Sequence, residues 1–217
     1  SYWKKKHNNK VVIKYTNRNL KGEILNVHYE SIIKYKAVSF LASKYFNNAI
    51  DGFVGSVEIE VYSEFPPLFT FPALTLSISN AECSSVVHSC IRTYNANEKI
   101  KDYAIGYPQS GFDVSFNLKN KNYICFIGAY KKRYNLLIQL SENQKFKEKS
   151  IFIENQSYGQ THIVFLEELF SDEIIKMFNK PKCIIRHDLD DIFPRFYVGI
   201  INNFSFPTLT HTFYDTS

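Results

Sequence analysis

The residues best able to do chemistry are grouped near the C-terminal end of this chain. Arg186, His187, Asp188, Leu189, Asp190 and Asp191 follow one another, and His211 and Asp215 come soon after. Imidazole and carboxylate ligands on neighbouring strands can hold a divalent transition metal with open positions, where water or an oxidant is activated. His187, Asp188 and His211 are the candidate metal ligands, with His88 as a further member. The spacing departs from a His-x-Asp pair, because Leu189 occupies the second carboxylate position. The plainer reading is a solvated loop in which Asp190 or Asp191 closes a turn.

A second constellation follows from strand periodicity. On a strand over 85–92, Val86, His88, Cys90 and Arg92 share one face; over 208–215, Leu209, His211, Phe213 and Asp215 do the same. Were these strands neighbours, Arg92 and Asp215 would pair beneath two imidazoles. His88, Arg92, His211 and Asp215 are thus candidate ligand-binding residues for an anion or a sugar. The plainer reading is a pair of structural histidines.

Other specific motifs are missing. There is no Gly-x-Ser-x-Gly elbow, no phosphate-binding glycine loop and no His-Glu-x-x-His helix. The four cysteines, Cys83, Cys90, Cys125 and Cys183, form no Cys-x-x-Cys pair, which argues against a zinc ribbon or a dithiol redox site. They read as buried thiols in a reduced, cytoplasmic compartment, with the disulfide state of Cys83 and Cys90 left open.

The elements that must position these residues read as strands. Segments 10–17, 22–29, 53–62, 68–79, 84–94, 111–117, 122–130, 134–140, 149–154, 161–166, 182–187, 195–201 and 207–214 are rich in Ile, Val, Phe, Tyr and Thr between polar turns. Val57, Ile59 and Val61 alternate with Ser56, Glu58 and Glu60, as on an antiparallel strand with one wet face. Ile124–Ile127 lacks polar alternation and reads as buried on both faces. One short helix is expected near 171–179, capped at Ser171-Asp172-Glu173, with Phe170, Ile174, Ile175 and Phe178 on one stripe. Glu167 and Glu168 read as a charged first turn. Residues 31–46 fit helix or strand equally. This pattern predicts a mostly β fold, an antiparallel sandwich of jelly-roll-like kind.

Two hairpin-like stretches, 73–94 and 196–217, resemble one another at an offset of 123 (His211 against His88), although a Phe-Pro match at 71 and 206 needs 135. A duplicated β-unit would divide the chain into 1–110 and 111–217, the second copy cut short at Ser217 as in a fragment of a larger protein. A single β domain over 1–217 is the other reading. In either case 195–201 should pair with 207–214 across 202–206, leaving His211 partly buried against Asp215 or His88.

Composition narrows the partners. Of 217 residues, 45% are apolar and 22% charged, which excludes wholesale disorder. The net charge is +5, arranged in zones: residues 1–36 carry nine basic against two acidic residues, and 119–149 eight against two. Only five of the 26 basic residues are Arg, which disfavours base readout and hence nucleic acid. No signal peptide or membrane span is legible. With 15 Tyr and 19 Phe and no specific catalytic motif, the first expectation is a non-catalytic module binding a glycan or a protein, without a cofactor. Tyr94, Tyr103, Tyr107, Tyr130, Tyr134 and Tyr158 lie in or beside loops, where rings can stack on sugars. The alternative is a metal-dependent jelly-roll enzyme. Oligomeric state is not legible.

Overall fold

The computed structural model describes residues 10–32, 39–46, 54–64, 74–79, 84–89, 109–127, 133–187, 196–201, 210–211 and 213–214. Every strand pairing whose register is described is antiparallel, and the only helices among these residues are three four-residue turns, so the mostly β expectation holds. No helix among the described residues is long and apolar enough to cross a membrane. The chain groups into two compact units, residues 1–72 with 157–161, and residues 73–156 with 162–217. The 110/111 division falls inside the second.

The first unit is a three-stranded sheet in the order β2-β1-β3, formed by β1 (Val11–Asn19), β2 (Ile24–Ile32) and β3 (Gly55–Ser63). Alternation builds it: Val11, Ile13 and Tyr15 point to one side and are buried with Ile32 and Phe46. The turn between β1 and β2 is fixed by Asn19, whose Oδ1 accepts from the amides of Lys21 and Glu23. Gly22 adopts φ +85° there, a conformation that L side chains resist. A bulge at Asn17/Arg18 leaves Leu25 without a partner on β1. The undecided stretch 31–46 resolves at its ends: β2 runs to Ile32, and α1 (Ala42–Tyr45) is one helical turn. From there Phe40 and Tyr45 stack over Tyr15 and His28.

The second unit holds a hairpin of β4 (Leu74–Ser79) and β5 (Ser84–Ser89) and two larger sheets. One sheet, β10-β7-β12-β13, contains β7 (Lys121–Ile127), β10 (Thr161–Phe165), β12 (Phe196–Ile201) and β13 (Thr210–His211). The other, β14-β6-β11-β8-β9, contains β6 (Gln109–Asp113), β8 (Tyr134–Glu142), β9 (Lys145–Ile153), β11 (Lys182–His187) and β14 (Phe213–Tyr214). One apolar cluster draws on both: Ile124 and Phe126 of β7, Phe196 and Val198 of β12, Leu136, Ile138 and Leu140 of β8, and Cys183 and Ile185 of β11. Burial of each such apolar side chain contributes about 2 kcal/mol. β7 is an inner strand, but the apolar run 124–127 is not buried on both faces: Ile124 and Phe126 are fully buried, while Cys125 and Ile127 on the opposite face are half-buried.

Two expectations need correction. The helix expected over 171–179 is shorter: α2 (Leu166–Leu169) and α3 (Asp172–Ile175) are separate turns, and the Ser171 side chain makes no capping bond. Phe170 and Phe178 are both buried, so the apolar stripe is met by a bent segment, with tighter turns at Met177 and Phe178. The C-terminal hairpin is also shorter. Tyr197 pairs with His211 and Val198 with Thr210, the expected register, but Phe213 and Tyr214 leave for β6 in the other sheet. In the β4–β5 hairpin His88 stands opposite Thr75, which the 123 offset maps onto Val198, one residue from the observed partner of His211.

Candidate functional site

The sequence-predicted residues lie as follows. β5, which carries His88, runs beside β13, which carries His211. His187 ends β11, half-buried, its ring 6.1 Å from that of Phe196. Arg92, Asp188 and Asp215 lie outside the described residues, as do Cys83, Cys90, Tyr94, Tyr103, Tyr107 and Tyr130. Among the described residues no three His, Cys, Asp or Glu side chains gather as metal ligands. Cys125 and Cys183 are free thiols; burial pushes Cys125 up to about 11 and Cys183 higher still, so neither is an activated nucleophile.

Two of the loop tyrosines do structural work. Tyr134 is buried, and its hydroxyl donates to Gln156 Oε1 at 2.5 Å. The same oxygen lies 3.0 Å from His162 Nε2, and the imidazole stacks on Phe126. Tyr158 donates its hydroxyl to Glu58 Oε1, and the Arg18 guanidinium covers its ring, 5.1 Å from the centroid.

The densest described polar constellation is one face of the first unit's sheet. Pairing sets Val12, Lys14, Thr16 and Arg18 of β1 opposite Tyr62, Glu60, Glu58 and Ser56 of β3. On the other side Lys14 faces Tyr29 of β2, and Thr16 faces Val27. Each β3 carboxylate takes one cation from β1 and one phenol. Glu58 Oε2 is 2.9 Å from Arg18, with Tyr158 on the other oxygen; Glu60 Oε2 is 2.5 Å from Lys14 Nζ, with the Tyr62 hydroxyl 2.6 Å from Oε1.

The two ends of this ladder differ in cover. The segment 157–161 lies over the Arg18 end. Ser56 Oγ donates to Gly159 O, the Thr161 amide to Leu20 O, and Arg18 also reaches Gly22 O. Side-chain exposure there is 13% for Arg18 and 26% for Glu58. At the Lys14 end Tyr29 is 60% and Tyr62 50% exposed, with Val27 beside them. Hydrogen bonds from Lys14, then Tyr62, hold the Glu60 carboxyl below its usual range; Glu60 in turn raises Lys14 and Tyr62, and the nearby Tyr29 phenol adds to both.

The open end therefore offers two aromatic rings around a self-neutralised ion pair. Aromatic faces accept the C–H face of a sugar, while carboxylate and ammonium exchange hydrogen bonds with its hydroxyls. Sequence reading missed Tyr29 and Tyr62 because both lie in strands. The signal available was the alternation of β3, whose polar side was read only as wet. No protein-family model, curated protein or solved structure matches the chain.

Proposed function

We propose that this chain is a non-catalytic β-rich binding module whose ligand is a glycan, met at the open end of the first unit's polar face. One observation carries the reading: Tyr29 and Tyr62, each at least half exposed, flank the Lys14–Glu60 pair on one pleated surface. Each ring contributes about 1 kcal/mol on stacking, so loss of one weakens binding about fivefold. The finer architecture, a sandwich of jelly-roll-like kind in the second unit, belongs to the same proposal. It is supported by the single apolar cluster fed from two sheets.

Affinity electrophoresis against a panel of neutral and acidic polysaccharides tests it. Retention should fall in Tyr29→Ala and Tyr62→Ala and vanish in the double variant, with unchanged circular dichroism. No retention on any polysaccharide overturns the glycan reading and leaves a protein ligand.

A second reading is favoured by the adjacency of β5 and β13. The anion or sugar pocket expected of His88 and His211, whose other expected members Arg92 and Asp215 lie outside the described residues, belongs to this reading; its metal-dependent variant uses His88, His187, Asp188 and His211. Metal analysis of the purified chain separates the two. Stoichiometric metal lost on His187→Ala with His211→Ala supports the enzyme, and no bound metal with no thermal shift on added zinc, iron or manganese removes it.

A further inference from the structure

An edge strand presents a row of unpaired N–H and C=O groups, and proteins blunt such edges with charge, proline or a bulge. Two long edges here are blunted. β9, at the edge of its sheet, carries Lys145, Lys147 and Lys149, all exposed. β3 carries Glu58 and Glu60. β2 is different. From residue 24 to 29 it has no formal charge, no proline and no glycine, and Ile24, Leu25, Val27 and Tyr29 are 57%, 48%, 36% and 60% exposed. Its bulge lies only at one end, and no described strand pairs with its outer side.

We propose that β2 pairs antiparallel with β2 of a second copy, joining two three-stranded sheets into one of six across a two-fold axis. Charge and parity narrow the register. Outward-pointing amides alternate along the strand, so the axis must pass through a residue position, pairing odd residues with odd and even with even. An axis at Glu30 would oppose like carboxylates. An axis at Tyr29 sets Tyr29 against Tyr29 of the second copy and His28 against Glu30 twice, once on each side, so that each carboxylate faces an imidazole rather than a like charge. On the other edges the same operation meets like charge around the charged positions. On β9, every axis from residue 146 to 149 opposes lysine to lysine; on β3, every axis from 58 to 60 opposes glutamate to glutamate. About any axis from residue 24 to 29, β2 faces itself without opposing like charges, which is why the occupant is a second copy. The axis stands normal to the sheet, so the Tyr29 and Tyr62 surfaces of both copies come to one side. Only this last consequence rests on the glycan reading; the pairing does not.

Sedimentation equilibrium of the whole chain from about 1 to about 100 µM brackets moderate affinities. The mass should rise to that of two chains, and Val27→Lys should raise the dissociation constant at least about tenfold, with unchanged circular dichroism. Tyr29→Cys should form a covalent dimer under mild oxidation in which the parent chain, with its own four cysteines, does not. This second readout stands even if Val27→Lys fails to fold. A single-chain mass throughout, or Tyr29→Cys that stays monomeric on oxidation, overturns the pairing. So does a dimer indifferent to a folded Val27→Lys variant. Glycan retention by a chain that never dimerises would sink this inference and leave the proposed function standing.

Discussion

Arg18–Glu58–Tyr158 and Lys14–Glu60–Tyr62 are the same chemical arrangement built twice on one sheet face: a carboxylate of β3, a cation of β1 and a phenol. They differ in where the phenol comes from. Tyr62 is two residues from Glu60 and costs the chain no long-range contact, whereas Tyr158 arrives from a hundred residues away and brings a covering segment with it. Cover changes the energetics. The more open pair contributes about 0–1 kcal/mol, while the more deeply buried one becomes a fastening whose loss leaves a desolvated partner behind.

Lifting the cover should cost the fold most. A Cβ on Gly22 would lie 2.6 Å from Tyr158 O and 2.9 Å from the Gln160 amide, on a backbone at φ +85°. Gly22→Ala is therefore expected to destabilise by about 3 kcal/mol, read from urea denaturation, and to expose the Arg18 end. Next comes Glu58→Ala, which strands the Arg18 guanidinium and the Tyr158 hydroxyl together and should cost about 2 kcal/mol. A cost equal to that of Glu60→Ala would mean that the segment 157–161 contributes nothing.

The smallest effect sharpens the other end. Glu60→Gln should change stability by no more than about 0.5 kcal/mol at neutral pH, because this pair is the more solvent-exposed of the two, its side chains 27% and 33% exposed. The sign of its pH dependence is fixed. A carboxyl held below its unfolded value stabilises above that value, and the contribution disappears as pH falls through the folded one. The difference between parent and Glu60→Gln should thus close below about pH 4, while retention on polysaccharide stays lower in the variant near neutrality.

Much of the strand pattern was legible in the residues themselves. Leu136, Ile138 and Leu140 alternate with polar or less buried neighbours and are wholly buried in β8; Val11, Ile13 and Tyr15 behave alike in β1. Local periodicity carries that information. What it could not carry was pairing. Nothing around Thr212 announces that β13 ends and β14 joins another sheet, since β14 finds its partners at Gly111 and Ser110, far away in sequence. The polar side of β3 looked merely wetted because its cations, Lys14 and Arg18, lie on a strand some forty residues earlier, in a register only the fold reveals. Tyr134 and Tyr158 looked like loop aromatics, but the partners that occupy them, Gln156 and Glu58, are not evident from their own neighbourhoods.

The return of residues 157–161 to the first unit sets a timetable for the growing chain. β1, β2 and β3 have all emerged by residue 63, yet the Ser56 hydroxyl, the Glu58 carboxylate and the Leu20 carbonyl wait for partners at Gly159, Tyr158 and Thr161. At ordinary elongation speeds those partners follow about 5 to 20 s later. During that interval the sheet exists with one end of its polar ladder open to water, and the loop-closure entropy of a hundred-residue excursion is still to be met. A nascent chain stalled between these points would therefore carry the Lys14 end complete and the Arg18 end unfinished, so that the open end is ready before the fastening is.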